Sequence, residues 1–359
     1  MHYGSPESRL ARQRQKRSAR QANHSAGQNG ANHMSPVHRR LERSDSYSSA
    51  LDRGLPATQN FFAGDTPISD IAMLGTHDAG TSNIRNLKGI SVCQDLNLIE
   101  QAEQGIQYFD LRVRTNSNGD WKFYHGERRK ALGGFNASGS AIPQLNALYD
   151  YAKAHPENLF IFKFHFDIKK DGGQRVNEFL ETKVVNKLRD QLVKRSGDNL
   201  LGQNTMADTV HQGKNIAILA HHAGEQAFQN ESTKDYIWPY GTNTYGGWGK
   251  TPDSDQLTAH LTRNIQREND GRVLVSQTNL PAAIPPSAAV LKNPAAWKGL
   301  KHLASRSHEA VAEGVAAAVE NSGHNPGVMS MDFAGTSNAS TQSYRQIRDT
   351  HNRKFQKYN

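Results

Sequence analysis

The chain reads as an α/β protein folded into a single irregular TIM-like (β/α) barrel behind a disordered N-terminal leader. Three observations carry that reading. Apolar strand-like runs alternate with longer helical patterns, the alternation expected of a largely parallel sheet flanked by helices. About seven such runs over roughly 290 residues suit one barrel, for which about 250 residues is usual. Polar clusters follow several of the runs, and barrel active sites are built at strand C-termini.

Residues 1–60 are assigned to the leader and 61–359 to the barrel. Within residues 1–53, ten Arg and Lys stand against four Asp and Glu, so six of the nine net positive charges of the 359-residue chain lie there. The basic balance therefore describes a tail more than a domain. Ser, Gln, Asn, His and Arg dominate this stretch, and it carries too few large apolar residues to offset the entropy of ordering. The leader lowers the hydrophobic content to 36% and the mean hydropathy to -0.74. It lacks the apolar stretch of a secretory signal, and no later run has the length of a transmembrane helix. Neither Sec export nor a membrane span is expected. Cys93 is the single cysteine, which rules out an intramolecular disulfide.

Strands are predicted over residues 71–74, 107–113, 121–124, 159–166, 215–220, 272–276 and 327–332, where β-branched and aromatic residues gather. Helices are predicted over 96–104, 142–154, 176–194 and 302–319, the last rich in alanine. Gly-rich or Pro-rich stretches at 133–139, 240–249 and 281–286 read as loops. No internal repeat is present.

The chemistry concentrates in ISDIAMLGTHDAGTSNI (68–84) and QYFDLRVRTNSNGDWKFYHGE (107–127). The first holds His77 and Asp78; the second holds Asp110, Arg112 and His125. Cleaving a phosphodiester through a neighbouring hydroxyl requires a base for the nucleophile, an acid for the leaving oxygen and positive charge on the non-bridging oxygens. Histidine suits either proton transfer because its pKa lies near neutrality, and a carboxylate fixes its tautomer. Arginine supplies planar, permanently charged phosphate recognition. Strand alternation puts Phe109 and Leu111 on one face and Asp110 and Arg112 on the other, so a charged pair enters the barrel. Lys163, amid aromatics, is a candidate second cation. Asp332, after the last strand, can share a pocket with His77 only because a barrel brings its strand ends together.

At these residues the sequence resembles the X domain of phosphatidylinositol-specific phospholipase C, above all the small bacterial enzymes. LGTHDAGT (74–81) is similar to the segment of that family's first catalytic histidine, FDLR (109–112) to its second strand, and FYHGE (123–127) to the segment of its second histidine. Residues 156–163, IWPY (237–240) and GVMSMDFAG (327–335) extend the likeness over roughly residues 65–340. The resemblance implies that His77, paired with Asp332, is the general base for the inositol 2-hydroxyl. It implies further that His125, supported by Asp78, is the general acid, and that Arg112 holds the phosphate with Asp110 alongside. The products implied are diacylglycerol and inositol 1,2-cyclic phosphate. Eukaryotic relatives place calcium-binding carboxylates on this strand and Asn after the first histidine. Here Arg112 and Asp78 stand in those places, so neither metal nor cofactor is expected.

Where bacterial relatives place an Arg against the inositol ring, this chain has His221-His222. His221 is thus a candidate headgroup contact, as are Tyr240 and Tyr245 for the ring-stacking tyrosine. The implied partner is a phosphatidylinositol-type lipid, met peripherally at a membrane surface; nucleic acid is not expected, and a monomer is. The aromatic stretch Trp238, Tyr240, Tyr245 and Trp248 reads either as a bilayer-facing rim or as a packed loop. The leader's composition is similar to bacterial type III secretion leaders, a non-Sec route. Its basic clusters also suit contact with anionic lipid or nucleic acid, or a merely solvated tail. Two other functions stand beside the main one: the same chemistry on a different headgroup, and a catalytically silent headgroup binder. Deleting residues 1–55 is expected to leave turnover of a soluble substrate unchanged; a large loss assigns the tail to the catalytic fold.

Overall fold

The computed structural model describes residues 62–85, 88–126, 135–221, 230–281, 299–335 and 339–356. The leader, His222, Glu127, most of the 281–286 loop and part of the 133–139 loop lie outside them. Ten strands are found among the described residues: β1 (Met73–Thr76), β2 (Tyr108–Thr115), β3 (Trp121–His125), β4 (Phe135–Asn136), β5 (Phe160–Phe166), β6 (Ile216–His221), β7 (Ile237–Pro239), β8 (Thr244–Gly247), β9 (Val273–Gln277) and β10 (Val328–Met331). Eight follow one curled path, β7-β6-β5-β2-β1-β10-β9-β8. Every pairing along it is parallel. The path ends at β7 and β8, which the turn Tyr240–Asn243 joins without a ladder between them. The barrel is therefore open on one side.

Alternation along the strands divides the apolar residues between the two faces of the sheet. Phe109, Leu111, Phe162, Phe164, Ile216 and Ile218 pack outward with helix residues such as Leu145, Leu148, Val311 and Val315. Tyr108, Ile161, Ala217, Leu219, Trp238, Val275 and Val328 pack inward over a floor that includes Ile68, Ile71 and Leu201. The barrel thus has an apolar lower interior. Asp110, Arg112 and Lys163 stand on the same strand faces as Tyr108 and Ile161, nearer the C-terminal mouth.

The helices form where capping and spacing dictate. In α1 (Leu98–Glu103), Asn97 Oδ1 accepts from the N–H groups of Ile99 and Glu100 while Glu100 accepts from Asn97 N–H, a capping box. In α2 (Ala141–Ala154), Ser140 caps the first turn and Leu145, Leu148, Tyr149 and Ala152 make the buried stripe. The helical pattern read over 176–194 starts earlier, as α3 (Ile168–Phe179), and runs on through a π-helical stretch, Leu180–Val185. Two long helices among the described residues escape the sequence reading: α4 (Ser254–Ile265), capped by Asp253, and α6 (Ala339–Asn352). Between them lies the alanine-rich α5 (Leu300–Ser322), which ends at the left-handed Gly323.

The stretch 240–249, expected as a loop, contains β8. Its Thr-Tyr-Gly-Gly sequence carries little strand propensity, yet a Cβ on Gly246 would stand 2.7 Å from the Val275 carbonyl oxygen. Close backbone approach, not side-chain propensity, makes this a strand. The run at 121–124 also differs from expectation. β2 outruns β1, and β3 pairs antiparallel with the protruding residues, Val113 opposite Phe123 and Thr115 opposite Trp121. The hairpin is locked from below, because a Cβ on Gly80 would fall 2.2 Å from the Phe123 ring. Gly80→Ala is expected to destabilise the fold by about 1–3 kcal/mol through overpacking, read as a lower midpoint in thermal unfolding.

Candidate active site

β1 and β10 lie side by side in register, Thr76 opposite Met331, and both end in a tight reversal. The next residues are His77 and Asp78 after β1, and Asp332 and Phe333 after β10. Asp78 has φ 46° and Phe333 φ 52°, left-handed values that cost a non-glycine residue energy. Those turns swing side chains over the barrel mouth. His77 Nδ1 lies 2.8 Å from Asp332 Oδ1 across 255 residues of sequence.

Arg112 gathers the rest. Its Nη2 lies 2.8 Å from His77 Nε2 and 3.1 Å from Asp110 Oδ2, while its Nε is ion-paired with Asp78 Oδ1. The other oxygen of Asp78 lies 3.3 Å from His125 Nε2. A guanidinium only donates, so His77 Nε2 must offer its lone pair to Arg112 and its Nδ1–H goes to Asp332. That is the tautomer of a base aimed into the mouth. His125, the last residue of the hairpin strand β3, reaches the same carboxylate from the opposite side. The sequence placed it after a barrel strand; it comes instead on an antiparallel strand folded back over the mouth.

Burial opposes the charged form of His77, but the carboxylates of Asp78 and Asp332 outweigh burial and Arg112, and its pKa is raised. For His125, burial dominates and Arg112 and His77 add to it against Asp78, so its pKa is lowered. The pair therefore combines a strengthened base with a strengthened acid. Burial favours neutral Asp110, yet Lys163, Arg112 and His77 together hold its carboxyl well below the usual range. By linkage, the raised pKa of His77 stabilises the fold below its ordinary value, and that contribution is lost as pH rises through the folded one. The depressed Asp110 stabilises above the ordinary carboxylate value and loses its contribution as pH falls.

Lys163 Nζ lies 2.8 Å from Asp110 Oδ1 and 4.8 Å from the centre of the Tyr240 ring. The structure thus brings Lys163 and Tyr240 to the cluster. His221 stands at the rim, opposite His165 on the neighbouring strand, with 3.1 Å between their Nδ1 atoms and its ring beside Tyr240. Burial, reinforced by Lys163 and Arg112, pulls His165 down to about 2 and keeps it neutral. Tyr245 is not brought here. It packs on the outer face of the sheet, with its ring near Arg267 and Arg272, which precede β9.

Sequence reasoning missed Gln94, Cys93 and Arg114. Gln94 and Cys93 lie in an irregular segment without a motif. Arg114 was legible, because it continues the alternation of Asp110 and Arg112; it donates to Asn136 and stands over the Tyr124 ring. Among the described residues, His77, Asp78 and Cys93 hold donor atoms within 4.8 Å of one another, near enough to cage a cation. Both nitrogens of His77 and both oxygens of Asp78 already have partners, and burial keeps the Cys93 thiol protonated. The Arg112 guanidinium would also repel an incoming cation, so these residues do not fit a metal.

The parallel half-open barrel, with its histidines, carboxylates and arginine gathered at the C-terminal mouth, defines a class of fold, and solved structures share that fold. The chain is similar to the phosphatidylinositol-specific phospholipase C of Listeria monocytogenes, with a TM-score of 0.60 and 15% identity, covering 81% of this chain and 99% of that one. A point mutant of the Staphylococcus aureus phosphatidylinositol-specific phospholipase C gives 0.58 and 16%, over 81% and 95% of the chains. The same enzyme, in a structure concerned with its membrane binding, gives 0.59 and 15%, over 81% and 96%. No protein-family model and no curated protein matches the chain. The fold is that of the bacterial phosphatidylinositol-specific phospholipases C. In an NMR titration, His77 is expected to titrate above the ordinary histidine value of 6.5 and His125 below it. Asp332→Asn should bring His77 down; the reverse order of the two histidines would overturn the assignment of their environments.

Proposed function

We propose that this protein is a phosphatidylinositol-specific phospholipase C-like phosphodiesterase, and that it cleaves phosphatidylinositol or a glycosylated relative without a metal. The observation that carries the proposal is the shared guanidinium: Arg112 touches the base nitrogen of His77 and the carboxylate that supports His125. A phosphate drawn to Arg112 would meet a base on one side and an acid on the other.

In the reaction, His77 Nε2 removes the proton of the inositol 2-hydroxyl, and Asp332 stabilises the imidazolium. The freed oxygen attacks phosphorus while Arg112 neutralises the non-bridging oxygens. His125 delivers its proton to the departing diacylglycerol oxygen, leaving inositol 1,2-cyclic phosphate. Asp78 orients both His125 and Arg112, and Asp110 with Lys163 braces Arg112 from below. Because the pKa of the base is raised and that of the acid lowered, a bell-shaped rate profile is expected, with His125 setting its acid limb and His77 its alkaline limb, and with a minor protonation state of the enzyme carrying the reaction.

Contact with a membrane has support in Trp248, an exposed large hydrophobic residue just past the C-terminal end of β8 at 41% accessibility. No described helix is long and apolar enough to cross a membrane. A second reading, the same chemistry on another headgroup, is favoured by the His165–His221 pair at the rim. A silent headgroup binder has no need of both an acid and a base.

Incubation with phosphatidylinositol vesicles in EDTA, followed by phosphorus NMR, is expected to yield the cyclic phosphate. Binding without turnover supports the silent binder, and turnover of other phospholipids alone supports the other headgroup. Calcium-restored activity after complete loss in EDTA would sink metal independence. His77→Ala and His125→Ala are each expected to lower turnover by about 100-fold or more.

A further inference from the structure

Between α1 and the preceding short helix Lys88–Ser91 runs an irregular segment that includes Cys93 and Gln94. Both side chains are fully buried. The Gln94 amide donates one hydrogen to the His77 carbonyl oxygen at 2.8 Å and the other to the Met331 carbonyl oxygen at 2.9 Å. Its own oxygen accepts from Ala334 N–H at 3.1 Å. The orientation is dictated by chemistry, since a flipped amide would set its oxygen against two carbonyls. The backbone of Cys93 adds two more bonds. Its carbonyl accepts from Phe333 N–H at 2.7 Å. Its N–H donates to Thr81 Oγ1 at 3.0 Å, and that hydroxyl donates to the Asp78 carbonyl at 2.8 Å.

These bonds span the two strand ends that carry His77 and Asp332, just beyond their shared ladder. They also flank the two left-handed residues, Asp78 and Phe333. A strained turn persists only where its surroundings over-determine it. From this arrangement we infer that Gln94 is a positioning residue, which sets the separation and alignment of the His77–Asp332 pair from behind. The pair needs such a brace because its members come from distant parts of the chain. A carboxylate–imidazole bond moved by even about 1 Å forfeits much of its catalytic effect. Gln94 touches neither a phosphate nor an inositol hydroxyl, and acts only through the backbones of His77 and its partner strand.

This inference rests on the reading of His77 and Asp332 as the base and its support, but its test does not depend on turnover. Gln94→Met keeps the volume and removes all three bonds; Gln94→Asn retains an amide one methylene too short to span both strands, and serves should the first variant fail to fold. In either, the His77 imidazole measured by NMR is expected to titrate lower than in the unaltered protein, with His125 unmoved. With phosphatidylinositol vesicles, kcat is expected to fall by about 10-fold to 100-fold with little change in KM. A folded variant whose His77 titration is unchanged overturns the inference, whether kcat holds or falls only in step with thermal stability. If the unaltered protein turns over no lipid, the His77 shift alone decides it.

Discussion

A single guanidinium sets the terms for the mouth of this barrel. Asp78 and Asp110 are almost wholly buried, and two carboxylates so close can stay ionised only with cations between them. Arg112 binds both and also touches His77 Nε2; Lys163 takes the remaining oxygen of Asp110. Removing one partner from such a buried pair costs about 3–5 kcal/mol, because the other charge is left without compensation. The network therefore ties the geometry of the mouth to stability, and the strands that carry it must end within a few ångströms of one another.

The sheet meets that demand by being irregular. A closed, even barrel would end β1 and β2 together and leave no edge for a hairpin. Here β2 runs past β1, and its free edge takes up β3, which folds back to set His125 against Asp78. His125 is thus delivered by a local antiparallel device grafted on a parallel frame. His77 and Asp332, in contrast, follow neighbouring parallel strands.

Electrostatic surroundings separate the two histidines. His77 faces two carboxylates and gains proton affinity, whereas His125 is governed by burial and loses it. Farther round the barrel, His165, His221 and Tyr240 add hydrogen-bonding groups beside Lys163, whose charge is already met by Asp110. The His77–Arg112–His125 cluster and the His165–His221–Tyr240 group thus occupy different arcs of one mouth.

Much of this was legible from the amino acids. Runs with period two located the central strands, and alternation in Phe109-Asp110-Leu111-Arg112 turned the charged pair inward. His77, Asp78, Arg112, His125 and Asp332, named as one set, do meet. The sequence could not reveal β8, where glycines permit a backbone contact that propensity does not register, nor the tertiary setting of Tyr245, a candidate beside Tyr240 for the ring-stacking tyrosine that the resemblance implied. Gln94 was invisible because its bonds go to backbone atoms, and a buried amide carries no motif. What the sequence determined by itself was local: periodicity, side-chain chemistry and the faces of strands. The tertiary structure decided which strand ends stand together and which charges share a partner, since those depend on contacts between residues far apart along the chain.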